Sequence, residues 1–218
     1  MDNVELLAMD DWVIKTRQPK GTGPYPIFLL LHGWTGDENS MWIFVTGLPS
    51  DAIFVAPRGI FPAPGGGYGW HPYQENRWPQ AVDFHPAMNK IIDLLTQKNF
   101  PCGDFSNINL VGFSQGAALA LTLLLTYPAQ FQSAVGLSGF LPDGIMQLPQ
   151  NPLVRGKHVF LAHGTQDEFV SIQRARQTVD HMERAGVNVT YCEDNVGHKL
   201  SASCFRGLEA FFSQNNLA

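Results

Sequence analysis

The sequence predicts an α/β domain with a mostly parallel central sheet and helices on both faces. Two observations carry this. Short aliphatic and β-branched runs alternate along the chain with longer segments of helical periodicity, and one run leads directly into a Gly-x-Ser-x-Gly turn that opens a helix. Parallel neighbours need a crossover, normally helical, so this alternation implies a parallel sheet covered on both sides. At 218 residues the chain fits one such domain over residues 1–218, with a full core.

In chain order, Val4–Leu7 and Trp12–Lys15 precede any helix and read as an antiparallel edge hairpin. Strands are expected at Ile27–Leu31, Ile53–Ala56, Ile108–Val111, Ser133–Leu137, His158–Ala162 and Val187–Cys192. Helices are expected at Glu38–Thr46, Ala87–Gln97, Gln115–Thr126, Ile172–Ala185 and Ser201–Gln214. Functional residues in such sheets gather at the carboxyl ends of the strands.

Two connections exceed ordinary length. Pro57–Asp83 is rich in Gly and Pro and carries Phe61, Tyr68, Trp70, His71, Tyr73 and Trp78, so it reads as a wall over the site; the alternative is that the rings only pack the loop down. Gly139–Gly156, which contains Phe140, reads as the opposite wall. Trp70, His71 and Phe140 are the candidate substrate contacts.

Composition narrows the partners. With 44% hydrophobic and 15% charged residues the chain is globular. A net charge of -5 without any Lys/Arg cluster argues against nucleic acid or an anionic membrane, and favours uncharged or weakly polar substrates. Cys102, Cys192 and Cys204 are odd in number and widely spaced, so they read as reduced thiols of a cytoplasmic protein, with no disulfide framework or metal pair. Asp2, Glu5, Asp10 and Asp11 occupy the region where an export signal needs a basic start. The longest apolar stretch, Ala117–Leu125, is far short of the ~20 residues that cross a bilayer, so no integral membrane contact is expected. Monomer and homodimer both remain open.

The sharpest chemical signal is Gly112-Phe113-Ser114-Gln115-Gly116, between an expected strand and an expected helix. A serine on such a turn presents its hydroxyl above the sheet edge, and the flanking glycines let backbone approach without clash. The hydroxyl needs a base, and the base an orienting acid. His198, in the loop before the last helix, fits the order serine, acid, histidine; His32, His71, His85, His158, His163 and His181 do not. An imidazole, with an ordinary pKa of about 6.5, suits proton transfer near neutrality. Asp167 ends the segment Val159–Asp167 at a strand end and is the chosen acid, with Asp143, also in a turn after a strand, as the alternative. Oxyanion donors are assigned to the backbone N–H groups of Gln115, at the helix start, and Trp34, in the turn after Ile27–Leu31.

Together with Leu31-His32-Gly33-Trp34, Pro57-Arg58-Gly59, Leu137-Ser138-Gly139-Phe140-Leu141-Pro142, His163-Gly164-Thr165-Gln166-Asp167 and Gly197-His198, this motif makes the chain resemble, from about Tyr25 to Phe212, the phospholipase/carboxylesterase family of α/β hydrolases. The resemblance implies the α/β-hydrolase fold without a separate cap, and a metal-free Ser-Asp-His mechanism without cofactor. It also implies ester or thioester substrates with short to medium acyl chains, small or lipid-like, and it favours Asp167 over Asp143. One position departs from the pattern: Thr35 follows Trp34 where members commonly have glycine.

Competing readings share the fold or the chemistry. A dienelactone-hydrolase-like enzyme would carry Cys at 114, and a metallohydrolase would need clustered ligands that the sequence lacks. Gly65-Gly66-Gly67 has neither an expected strand before it nor a helix after it, and reads as a loop element rather than a nucleotide site. A peptidase would use the same triad, but no cap or propeller domain offers a selective peptide entrance. A ligand-binding module that keeps the fold without turnover is the non-enzymatic alternative.

Overall fold

The computed structural model describes residues 3–9, 11–75, 77–145, 151–215 and 217. Its main sheet has eight strands in the order β1-β2-β4-β3-β7-β8-β9-β10. They are β1 (Asn3–Met9), β2 (Trp12–Gln18), β3 (Tyr25–Leu31), β4 (Ile53–Pro57), β7 (Gly103–Phe113), β8 (Ser133–Leu137), β9 (His158–Gly164) and β10 (Asn188–Asp194). β1 and β2 form the expected antiparallel hairpin and β2 pairs antiparallel with β4; from β4 to β10 every neighbour is parallel.

The central strands are buried on both sides, which is why they read as unbroken apolar runs. Side chains of β3 alternate between two cores. Ile27, Leu29 and Leu31 join residues of α1 (His85–Leu94), α2 (Gln115–Thr126) and α3 (Ile172–Arg184) on one face. Phe28 and Leu30 join the 3₁₀ helix Ser40–Gly47 and α4 (Ala202–Gln214) on the other. Next to β3 the chain order reverses, with β4 on one side and β7 on the other, so a crevice opens at the carboxyl ends of β3 and β7.

Four differences from the sequence reading have physical causes. Glu38–Thr46 forms a 3₁₀ rather than an α-helix, over Ser40–Gly47; the segment is short and Ile43, Val45 and Thr46 gain little from α geometry. α1 begins earlier, with Pro86 in its first turn, and ends at Leu94, whose carbonyl accepts from Asn99 Nδ2 at 2.9 Å. A short strand does lead into Gly65-Gly66-Gly67: β5 (Phe61–Pro62) pairs with β6 (Tyr68–Gly69), and the three glycines take φ of 85°, 111° and 71° in the hairpin turn. Cys192 and Cys204 form a disulfide, contrary to the reading of three free thiols; only Cys102 is free. Their spacing hides the pair. α4 folds back on β10 and brings the two Cα atoms to 5.7 Å.

Within the expected second wall, residues 146–150 lie outside the described residues. Among the described residues no helix is long and apolar enough to cross a membrane, and no cluster of three or more His, Cys, Asp or Glu could hold a metal ion.

Candidate active site

Ser114 joins β7 to α2 with φ 53° and ψ −115°, a strained conformation for a residue with a side chain. Its neighbours make the turn possible. A Cβ on Gly112 would fall 2.3 Å from the Gly116 carbonyl oxygen, and one on Gly116 would fall 2.1 Å from that of Leu31. The turn is anchored by the Ser114 N–H, which donates to Leu137 O at 2.8 Å on the neighbouring strand.

Asp167 and His198 follow β9 and β10, and the parallel pairing of those strands sets the two loops side by side. His198 Nδ1 lies 2.7 Å from Asp167 Oδ2. A carboxylate only accepts, so Nδ1 carries the proton and Nε2 keeps its lone pair for another donor. The other oxygen, Oδ1, accepts from the N–H groups of Phe169 and Val170, both at 2.9 Å. His163 Nε2 donates to Val170 O at 2.8 Å and lies 3.3 Å from Asp167 Oδ2. The fully buried Asp167 side chain is thereby held from three directions, and the His198 ring packs between Phe113 and Phe169 at centroid distances of 5.0 and 5.2 Å. Among the described residues the Ser114 hydroxyl makes no hydrogen bond. Asp143, the alternative acid, is instead half exposed and paired with Arg174 at 3.1 Å.

Ser114, Gln115, His198 and the Gly33–Thr35 segment line one cavity of about 440 Å³, with Trp78, Phe140 and Val170 among its apolar walls. Among the described residues nothing takes the N–H of Trp34 or of Gln115. Thr35 keeps the conformation that a glycine would adopt, at φ 64°, and its hydroxyl donates to Trp34 O at 2.6 Å. A bridge between Gly36 and Tyr68 ties this segment to the β5–β6 hairpin.

The aromatic loop divides its duties. His71 and Tyr73 line the cavity and stack on Trp34 at 6.0 and 5.9 Å, and Phe140 lines it from the other side, with Trp78 edge-on at 4.8 Å. Burial pushes the His71 imidazole below its ordinary pKa. Trp70 is a correction: its indole is fully buried and not among the cavity walls. It works from beneath, Nε1 donating to His32 O at 2.7 Å and its backbone N–H to Gln115 Oε1 at 2.8 Å.

The sequence reading passed over the groups that hold this arrangement. His32 is buried, which lowers its pKa and keeps it neutral. Its Nε2 accepts from Gly59 N at 2.8 Å, so Nδ1 donates to Gly33 O at 2.7 Å and fixes the start of the Gly33–Thr35 segment. Arg58 grips Glu38 with two hydrogen bonds, at 2.7 and 2.9 Å, and its guanidinium lies 4.7 Å from the Tyr68 ring centroid. Arg174 lies over Trp78 at 4.1 Å. The only sequence signals were the paired motifs His32-Gly33 and Pro57-Arg58-Gly59; that they touch is decided by the register of β3 and β4.

Comparison with known proteins gives a consistent picture. The family model described as Phospholipase/Carboxylesterase matches residues 15–216. Acyl-protein thioesterase 1 of Kluyveromyces lactis is 32% identical over 165 residues, covering 67% of this chain and 72% of that protein. Carboxylesterase SOBER1 of Arabidopsis thaliana is 28% identical over 110 residues, so the match covers 50% of this chain and 48% of that protein. The crystal structure of the Bacillus cereus carboxylesterase superposes with a TM-score of 0.83 at 25% identity, over 94% of this chain and 95% of that one.

Proposed function

The chain belongs to the phospholipase/carboxylesterase family, and we propose that it is a serine carboxylesterase that hydrolyses short to medium acyl esters through an acyl-enzyme. The observation that carries the reading is the meeting of a strained serine at a strand–helix turn with a carboxylate-oriented imidazole in one apolar cavity.

In this mechanism His198 Nε2 takes the Ser114 proton as Oγ bonds to the carbonyl carbon. The developing oxyanion is met by the free N–H groups of Trp34 and Gln115, the latter at a helix start where the dipole favours negative charge. When the intermediate collapses, the bond to the alcohol oxygen breaks, that oxygen keeps the electron pair, and His198 returns the proton to it. Water then attacks the acyl-enzyme with His198 again as base, releasing the acid and Ser114. Asp167 holds the imidazole in the tautomer that both halves require.

A second reading, acyl-thioesterase, uses the same steps with sulfur as the leaving atom. It is favoured by the similarity to a protein named acyl-protein thioesterase 1 and by the apolar lining of the cavity. Lysophospholipase activity needs only a larger alcohol portion. The non-catalytic alternative is a ligand-binding module.

Hydrolysis of p-nitrophenyl esters from acetyl to palmitoyl, beside matching thioesters, tests the proposal with wild type and Ser114→Ala. Activity in wild type alone supports the serine mechanism, and the optimum chain length measures the acyl bed. Inert wild type across the series gives the lead to the binding module.

A further inference from the structure

A second cavity, of about 370 Å³, adjoins the first. The two share Gly33, Trp34, Thr35 and Phe113, so the oxyanion segment stands as a ridge between them. The second has its own apolar walls, Met41, Ile43 and Phe44 of the 3₁₀ helix and Leu200 of the segment after His198. We propose that it is the leaving-group subsite, receiving an uncharged, apolar alcohol or thiol portion of the substrate while the acyl portion lies in the first cavity. The inference rests on the serine-hydrolase reading above.

The assignment follows from which atoms stay and which depart. In the acyl-enzyme the acyl carbon is bonded to Ser114 Oγ, so the acyl bed must border Ser114. Of the two cavities only the first is lined by Ser114, Gln115 and His198, so the reacting atoms lie there and the second cavity can hold only what extends past His198. The departing oxygen or sulfur must lie against His198, which gives it a proton, and the rest of that group must then run away from the serine. The two residues that follow His198, Lys199 and Leu200, form a wall of the second cavity, and Phe113, which packs on the His198 ring, belongs to both. A substrate whose carbonyl oxygen points at Trp34 N–H and Gln115 N–H therefore straddles the ridge.

The chemistry of the walls selects the group. Met41 and Phe44 are buried, whereas Ile43 is 72% exposed, one of the few large apolar side chains left in solvent among the described residues. An apolar leaving group would cover it. The rim carries both signs: Lys199 is exposed, and Ser40 donates to the Asp37 carboxylate at 3.0 Å. A group of either charge gains little there, while the alkyl stem of a lysine adds apolar contact.

The test varies the leaving group at constant acyl chain. Butyryl thioesters of ethanethiol and 2-naphthalenethiol are compared in wild type, Ile43→Trp, Ile43→Ala and Leu153→Trp, the last an exposed apolar position outside both cavities. Each variant's thermal transition confirms folding. The ratio of kcat/KM for the naphthyl over the ethyl thioester is expected to fall about tenfold in Ile43→Trp and about threefold in Ile43→Ala, and to hold in Leu153→Trp. The ratio for octanoyl over acetyl ethyl thioesters is expected to hold in all of them, because the acyl bed is elsewhere. A naphthyl-to-ethyl ratio that stays within twofold of wild type in Ile43→Trp overturns the subsite, as does an acyl-chain ratio that moves in its place. Wild type no faster than Ser114→Ala on any thioester removes the serine reading and the subsite with it; an active wild type with unmoved ratios removes the subsite alone.

Discussion

Asp167 Oδ2 accepts from His198 Nδ1 at 2.7 Å, while Asp143 points to Arg174 instead. Asp167→Asn should lower kcat by about 10³–10⁴-fold, because an amide nitrogen at that position favours the wrong imidazole tautomer. Asp143→Asn should retain activity within a few-fold. Steady-state kinetics of the two variants, with circular dichroism to confirm folding, decide the matter, and a reversed order would move the acid role to Asp143.

Glu38 and Arg58 tie the turn after β3 to the start of the aromatic loop. The Arg58 hydrogen bonds hold the Glu38 carboxyl below its ordinary pKa. A carboxyl with a depressed folded pKa contributes stability that is complete above its unfolded value and is lost as pH falls through the folded one. Glu38→Gln should therefore melt lower than wild type at pH 7, by a few degrees for a loss of about 1–3 kcal/mol. The gap should narrow as the pH drops below about 4.5. A gap that stays constant down to pH 3 would show that the charge is not what matters.

Thr35 holds a left-handed φ of 64° that suits glycine better than a β-branched residue. Such strain costs about 1–3 kcal/mol. Part of it is offset in Thr35→Gly by the greater freedom of the unfolded chain. The net expectation is a rise of about 2–4 °C in melting temperature, for about 1 kcal/mol, with the Gly33–Thr35 backbone unchanged. Calorimetry checks the sign, and a lower melting temperature would mean that the Thr35 hydroxyl bond to Trp34 O outweighs the strain.

Arg174 presses on Trp78, which meets Phe140 edge-on in the wall of the cavity that Ser114 lines. Removing the guanidinium in Arg174→Ala should loosen that wall and lower kcat/KM for octanoyl esters several-fold more than for acetyl esters. An equal loss on both would place the effect on the chemistry rather than on the bed.

The Cys192–Cys204 bridge closes the segment that carries His198. Closing a loop of this length stabilises by about 2–4 kcal/mol. Reduction, or Cys192→Ser, should lower the melting temperature by roughly 5–15 °C at 2–4 °C per kcal/mol. Mass spectrometry after alkylation without reductant should find one modified cysteine, Cys102; three would show the bridge to be absent.

The sequence by itself determined the layering and the strand–turn–helix that carries Ser114. Runs such as Ile27–Leu31 are apolar on both sides because central parallel strands are covered twice, and Gly112-Phe113-Ser114-Gln115-Gly116 is legible because strand, turn and helix are contiguous and only glycine fits beside the turn. The choice of His198 rested on chain order. These are local signals, confined to a few neighbouring residues. What the tertiary structure decided depends on which distant strands become neighbours. The pairing of β9 with β10 put Asp167 beside His198 and left Asp143 to Arg174, and the folding of α4 onto β10 joined Cys192 to Cys204. Packing under the aromatic loop sent Trp70 into the core and His71 to the cavity, although the two are adjacent and similarly amphipathic. An aromatic side chain carries no local mark of whether its ring will meet substrate or core; that is settled by the shape of the surface on which its loop comes to rest.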